Sequence, residues 1–144
     1  MKVYNKRARF EFELTGEKIE AGISLKGAEA RAIREGHADI SQSHVRILSG
    51  EAFLVNANIP AQGLTGYDPT RIRKLLLHKS QIVALETKAK QGKLQIVPIV
   101  MYNVRRLVKI SLELGKSKRK FEKKEALKRA DIKRDMERDL NTKY

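Results

Sequence analysis

No cysteine occurs in the 144 residues, which excludes disulfides, thiolate metal sites and thiol nucleophiles together. Long apolar runs are missing as well. The longest, Ile96 to Tyr102, has seven residues and contains a proline, whereas a membrane span needs roughly 18. The basic stretch Met1–Phe10 leads into no apolar segment, so no secretory signal is expected. His37, His44 and His78 are scattered without an i, i+4 pair, which argues against a metal site. There is no G-x-x-x-x-G-K-[ST] loop, no G-x-S-x-G elbow and no G-G-Q tripeptide. No carboxylate pair is singled out by spacing, so neither an enzyme nor a cofactor is expected. Acidic residues are also in deficit: 17 Asp and Glu face 31 Lys and Arg, a net charge of +14. A small cytoplasmic protein whose partner is a polyanion remains.

The charge is uneven. Residues 1–114 hold 19 cations and 11 anions, and residues 115–144 hold 12 and 6. The division is read as a body, 1–114, and a basic tail, 115–144. Gly115 to Lys124 carries six cations and one anion; charges this dense repel and keep a chain extended until a polyanion arrives. Phe121 sits among them, an aromatic on which a base can stack. From Glu122 to Leu140 there is no Gly or Pro, and Ile132, Met136 and Leu140 recur every fourth residue. That spacing predicts a helix, marginal alone and formed mainly on binding.

The body reads as strands. Phe10–Leu14 and Lys18–Ser24 alternate with period two, and Thr15-Gly16 between them reads as a hairpin turn. His44–Leu48 and Glu51–Val55 flank a Ser49-Gly50 turn. Leu94–Tyr102 and Leu107–Leu114 form a third pair, bridged by Asn103–Arg106. Pro98 lacks an amide hydrogen, so its strand should be an edge or carry a bulge there. Helices are expected at Gly27–Glu35, stopped by Gly36, and at Asp68-Pro69, a capping carboxylate before a first-turn proline. A third, capped by Ser80, would carry Ile82, Val83, Leu85 and Ala89 and end at Gly92. Three hairpins with crossover helices predict a mainly β fold with α, a small closed antiparallel barrel of OB type.

Several blocks, in order, carry a family resemblance. They are Asn5-Lys-Arg-Ala-Arg9, Glu20-Ala-Gly-Ile-Ser-Leu-Lys-Gly-Ala-Glu29, Arg34-Glu-Gly36 and Asp68-Pro-Thr-Arg-Ile-Arg-Lys-Leu-Leu-Leu-His78, followed by the basic segment before Glu122-Lys-Lys124. The chain resembles the small protein B family, the SsrA-binding proteins of bacterial trans-translation, over nearly its whole length. It departs from the family's G-T-E-V-K-S-[LI]-R with Gly27-Ala-Glu-Ala-Arg-Ala-Ile-Arg34, and from its D-K-R with Glu122-Lys-Lys124.

The resemblance implies an OB-like barrel of about six strands with three flanking helices, and a tail disordered when free and helical on the ribosome. It implies binding to the tRNA-like domain of transfer-messenger RNA (tmRNA, SsrA RNA) and its delivery to stalled ribosomes. The tail would probe the empty mRNA channel at the decoding centre, allowing peptide tagging and ribosome rescue. Alanyl-tRNA synthetase and elongation factor Tu would be met indirectly; no membrane and no DNA partner is implied. Carried over by position, the tmRNA-binding set is Asn5, Lys6, Arg7, Glu20, Leu76 and Lys109. The ribosome-binding tail set is Lys116, Lys118, Arg119, Lys120, Phe121, Glu122, Lys123 and Lys124. Without the resemblance, Leu76 reads as a core leucine and Glu20 as the outward residue of an alternating strand. The competing reading is a structural ribosomal or general RNA-binding protein. It accounts for charge, barrel and tail, but not for the Asp68–His78 run.

Overall fold

A computed structural model describes residues 2–118. Three helices and seven strands follow one another as β1 (Lys2–Tyr4), α1 (Ala8–Glu11), β2 (Phe12–Ile23), α2 (Gly27–Arg34), β3 (His44–Leu48), β4 (Glu51–Val55), β5 (Arg73–Leu76), α3 (Lys79–Gly92), β6 (Gln95–Val104) and β7 (Leu107–Ser117). The strands make one antiparallel sheet in the order β1-β6-β7-β2-β5-β4-β3. Inward residues of the strands pack with Ile33 of α2, Leu85 of α3 and Ile40 and Ile59 of the loops. Ile33, Ile40, Leu54, Ile59, Met101, Ile110 and Leu112 are sealed from solvent, and each such side chain contributes about 1.5–3 kcal/mol by leaving water.

The closed barrel is not what forms. The ladder ends at β3 on one side and β1 on the other. The N-terminal segment occupies the edge of β6 from Pro98 onward, and β3 makes no ladder with the stretch before it. β1 pairs with Val100–Tyr102, Asn5 N–H donates to Ile99 O at 2.8 Å, and Asn5 Nδ2 donates to Pro98 O at 2.8 Å. The proline has no N–H to offer. Residues Glu86, Ala89 and Lys90 of α3 line the cleft left between β3 and the start of β6. The expected bulge at Pro98 is present, as a register shift between Pro98 and Val100, but its strand is interior.

Three local expectations are corrected. Thr15-Gly16 is not a hairpin turn: β2 runs straight through it as a bulge opposite β7. Gly16 takes φ +87°, its N–H donates to the buried Glu113 carboxylate at 2.7 Å, and Thr15 Oγ1 donates to Leu114 O at 3.0 Å. Phe10 and Glu11 are helical, since Ala8 is buried and Arg7 pairs with Glu11 across one turn at 3.4 Å. Asp68-Pro69 opens no helix. Asp68 Oδ1 accepts from Thr70 N at 2.9 Å and Thr70 Oγ1 at 3.0 Å, an Asx turn that feeds β5. The other signals hold with small shifts. Gly36 takes φ +76° beyond α2. Helix α3 begins at Lys79, one residue before Ser80, and its left-handed residue is Lys93 after Gly92.

Candidate nucleic-acid interface

Residues directly opposite on neighbouring strands share a face. Leu76 on β5, Gly22 on β2, Lys109 on β7, Tyr102 on β6 and Lys2 on β1 stand opposite one another in turn. Two residues along, Glu20, Ser111, Val100 and Tyr4 make a parallel row, on the same outer face because side chains repeat every second residue. Three positions dispersed over 90 residues of sequence are thereby gathered: Glu20, Leu76 and Lys109 line one open cleft of about 560 Å³.

Within it, Lys109 Nζ lies 2.8 Å from Glu20 Oε1. Hydrogen bonds from Lys109 and then Tyr102 hold the Glu20 carboxyl below its usual range. Tyr102 is pushed up to about 12, chiefly by burial and then by its bond to Glu20, so it remains a donor. The lysine is thus steered by an acceptor that still has lone pairs for a base amine or a ribose hydroxyl. Leu76 is 56% exposed, which decides against a core role. It lies over Gly22, where a Cβ would stand 3.2 Å from Leu76 Cβ. Lys74 and Lys79 add positive charge at the rim. The cleft offers cations for phosphates and an apolar floor for a sugar or base.

Asn5, Lys6 and Arg7 are not in this cleft; they follow β1 at the far edge of the sheet. Asn5 is committed to the fold on both sides of its amide, donating to Pro98 O and accepting from Arg7 N at 3.1 Å. Lys6 and Arg7 line a separate hollow with Tyr4 and Asp39. Of the tail set, Lys116 is exposed on β7 opposite Glu13. Lys118 is tied back, its Nζ donating to Arg9 O at 2.7 Å and its N–H to Glu11 O at 2.9 Å. Strand β7 runs to Ser117, past the expected 114/115 boundary. Arg119, Lys120, Phe121, Glu122, Lys123, Lys124 and the expected helix lie outside the described residues.

Sequence reasoning missed the buried cluster beneath the sheet. Glu29 is sealed from solvent and accepts from Lys26 N at 2.8 Å. It also accepts from Arg71 Nε at 3.1 Å, from Arg71 Nη2, and from Arg73 Nε and Nη2 at 2.9 and 2.7 Å. Arg73 is equally buried and donates further to Ala57 O, Arg71 O, Pro69 O and the Tyr67 hydroxyl. The Tyr67 hydroxyl lies 2.9 Å from Glu29 Oε2 and 2.6 Å from Ile59 O. Burial pushes the Glu29 carboxyl up, but the bonds from Arg71, Lys26 N, Arg73 and Tyr67 outweigh it and bring it to about 2. The signal was available: Glu29 shares its helix face with Ala32 and Ile33, and Arg73 alternates with the inward Leu75. Among the described residues no three His, Asp or Glu cluster as metal ligands, and no helix is long and apolar enough to cross a membrane.

A one-sheet antiparallel fold with lysines, a carboxylate paired to one of them and an uncovered leucine on its open face defines a class, a small single-sheet protein with a cationic open face. More particularly, the chain belongs to the SmpB protein family, which it matches over residues 2–142. It is 43% identical over 143 residues to the SsrA-binding protein of Sulfurihydrogenibium sp. (strain YO3AOP1), covering 96% of this chain and 93% of that one. With the SsrA-binding protein of Persephonella marina (strain DSM 14350 / EX-H1) it shares 47% identity over 132 residues, 89% and 84% of the two chains. A solved structure described as "tmRNA-SmpB: a journey to the center of the bacterial ribosome" superposes with a TM-score of 0.69 at 40% identity, covering 90% of this chain and 96% of that one.

Proposed function

We propose that this chain binds tmRNA, the SsrA RNA, and serves trans-translation, carrying the RNA to stalled ribosomes in the cytoplasm so that the nascent peptide is tagged and the ribosome released. The observation that carries the reading is the union of Glu20, Leu76 and Lys109 in one cleft on an SmpB-family sheet. Lys109, with Lys74 and Lys79 at the rim, neutralises phosphates of the tRNA-like domain, and Leu76 packs against a sugar or base. Glu20 aims Lys109 and accepts from the RNA. Asn5 acts by fastening the N-terminal segment to the Pro98 bulge, which sets Lys6 and Arg7 at the face's other edge. Alanyl-tRNA synthetase and elongation factor Tu meet the same RNA and are partners of this chain only indirectly, through it. We read β6-β7-β2-β5-β4-β3 as an opened OB-like set to which β1 is added.

The tail from residue 119 onward probes the vacant messenger channel, Phe121 stacking on a base and the flanking cations neutralising ribosomal phosphates. Two measurements test the whole. Wild-type protein binds a tRNA-like-domain transcript far better than a generic duplex of equal length at matched salt; equal affinity favours a general RNA-binding protein. Truncation after Lys118, which spares the β7 pairing, leaves that binding intact and abolishes tagging on stalled ribosomes. Loss of both activities together overturns the division of labour.

A further inference from the structure

The turn joining β6 to β7 has no part in the cleft, yet its chemistry is that of a contact surface. Val104 and Leu107 pair across the ladder with Arg105 and Arg106 between them, and all four are exposed. Leu107 is the most exposed large apolar side chain of the described residues, at 64%. Alternation puts Val104 on the face of Tyr102, and Leu107 on the face of Lys109, so the tip prolongs the same outer face. Lys74 and Lys109 each hold a carboxylate, Glu51 at 3.3 Å and Glu20 at 2.8 Å. Among the described residues neither Arg105 nor Arg106 has an ion-pair partner.

The backbone sharpens the point. Arg105 takes φ +57°, a left-handed conformation that Asn or Gly fills more readily in a two-residue hairpin turn. In the β3–β4 turn of the same sheet both central residues are left-handed, Ser49 at φ +51° and Gly50 at φ +75°, whereas at this tip only the first, Arg105, is. A strained arginine beside a second unpaired one, flanked by two uncovered aliphatic side chains, gives the fold nothing that Gly-Asn would not give better.

We propose that the Val104–Leu107 tip is a second RNA-contact element, in which Arg105 and Arg106 grip backbone phosphates while Val104 and Leu107 lie against an adjacent sugar or base. The proposal rests on the RNA-binding reading and extends it by some four residues along the face. The occupant is a nucleic acid rather than an acidic protein surface because the tip continues a face already furnished with Lys109, Tyr102 and Leu76. Guanidinium groups grip phosphate bidentately, and the aliphatic pair suits a ribose edge.

The test uses the full chain with Arg105→Gly and Arg106→Asn together, which puts glycine at the left-handed position, so the turn folds at least as well as the native one. Binding to the tRNA-like-domain transcript and to a duplex of equal length is measured across a salt series. The expected result is a loss of roughly tenfold or more in affinity for the transcript and a salt slope shallower by about 1.4 to 1.8, two phosphates' worth. Leu107→Thr should weaken binding without changing the slope. Unchanged affinity and slope in the double variant, with wild type still preferring the transcript, overturns the tip alone. If wild type shows no preference, the tmRNA reading fails; the duplex slopes still decide the tip, a shallower slope supporting it and an equal one overturning it. An arm with a polyglutamate peptide at matched salt overturns the choice of nucleic acid if it loses as much as RNA does.

Discussion

Two carboxylate–cation–tyrosine groups stand on opposite sides of this sheet. Beneath it, Glu29 is held by Arg71, Arg73 and Tyr67 with no solvent access. On the open face, Glu20 is held by Lys109 and Tyr102, with Glu20 half exposed. The components match in kind, yet only the inner group is saturated, since every nitrogen of the Arg73 guanidinium already donates to a protein acceptor. Saturation makes the inner group a clamp, fastening the loop before β5 to α2. The outer group is left with lone pairs, a mobile ammonium and an open side, which is what a group needs to bind something else.

The strongest way to break the comparison is to remove one partner from each group. Arg73→Met should cost about 3–5 kcal/mol, because it breaks a fully buried ion pair and takes two donors from the Glu29 carboxylate; chemical denaturation measures it. Adding Glu29→Leu should recover much of that loss, whereas recovery of none would mean the clamp does more than satisfy its own charges. Lys109→Ala should shift stability by less than about 1 kcal/mol yet weaken tRNA-like-domain binding by roughly tenfold or more. A matching stability loss would erase the distinction between clamp and open group.

Acid separates the two next. Glu29 titrates near 4.5 in the unfolded chain and near 2 when folded. Between those values the unfolded state binds more protons, so its contribution is full above pH 4.5 and is lost as pH falls toward 2. The loss is on the order of 3 kcal/mol. It should show as a steeper decline in wild type than in the Arg73→Met, Glu29→Leu protein over that window. A smaller effect concerns orientation: Glu20→Gln should raise affinity for a generic duplex slightly, by removing a negative charge, and lower it for the tRNA-like domain, by releasing Lys109. The smallest is Gly22→Ala. Its Cβ would press on Leu76 at 3.2 Å, and an exposed side chain can yield, so stability should move by less than about 1 kcal/mol while RNA affinity falls severalfold.

Local chemistry was readable in the sequence, and its long-range consequence was not. Alternation located most of the strand residues, and the Ser49-Gly50 turn is where it was expected, because both are short-range effects. Thr15-Gly16 misled because a glycine bulge and a hairpin turn look alike locally; what separates them is Leu114, 99 residues away. Asp68 misled similarly, since an Asx turn and a helix cap both have a carboxylate accepting nearby N–H groups. The meeting of Glu20 with Lys109 depends on register between β2 and β7, so family resemblance named those residues where spacing could not. The two arginines at the β6–β7 tip passed as a bridge, because nothing in a string of letters says which cations will go unpaired.

The β2–β7 ladder also sets the order in which this molecule can come into being. Its partners lie about a hundred residues apart, so β2 is synthesised early and must wait for almost the whole body before its mate leaves the ribosome. Loop closure of that length slows folding. A chain cut off before β7 has a twelve-residue strand whose ladder is left only its pairing with β5 at Gly22 and Ile23, and no Lys109 opposite Gly22. An unfinished copy therefore cannot assemble the open face, which exists only in a molecule whose own translation reached the last strand.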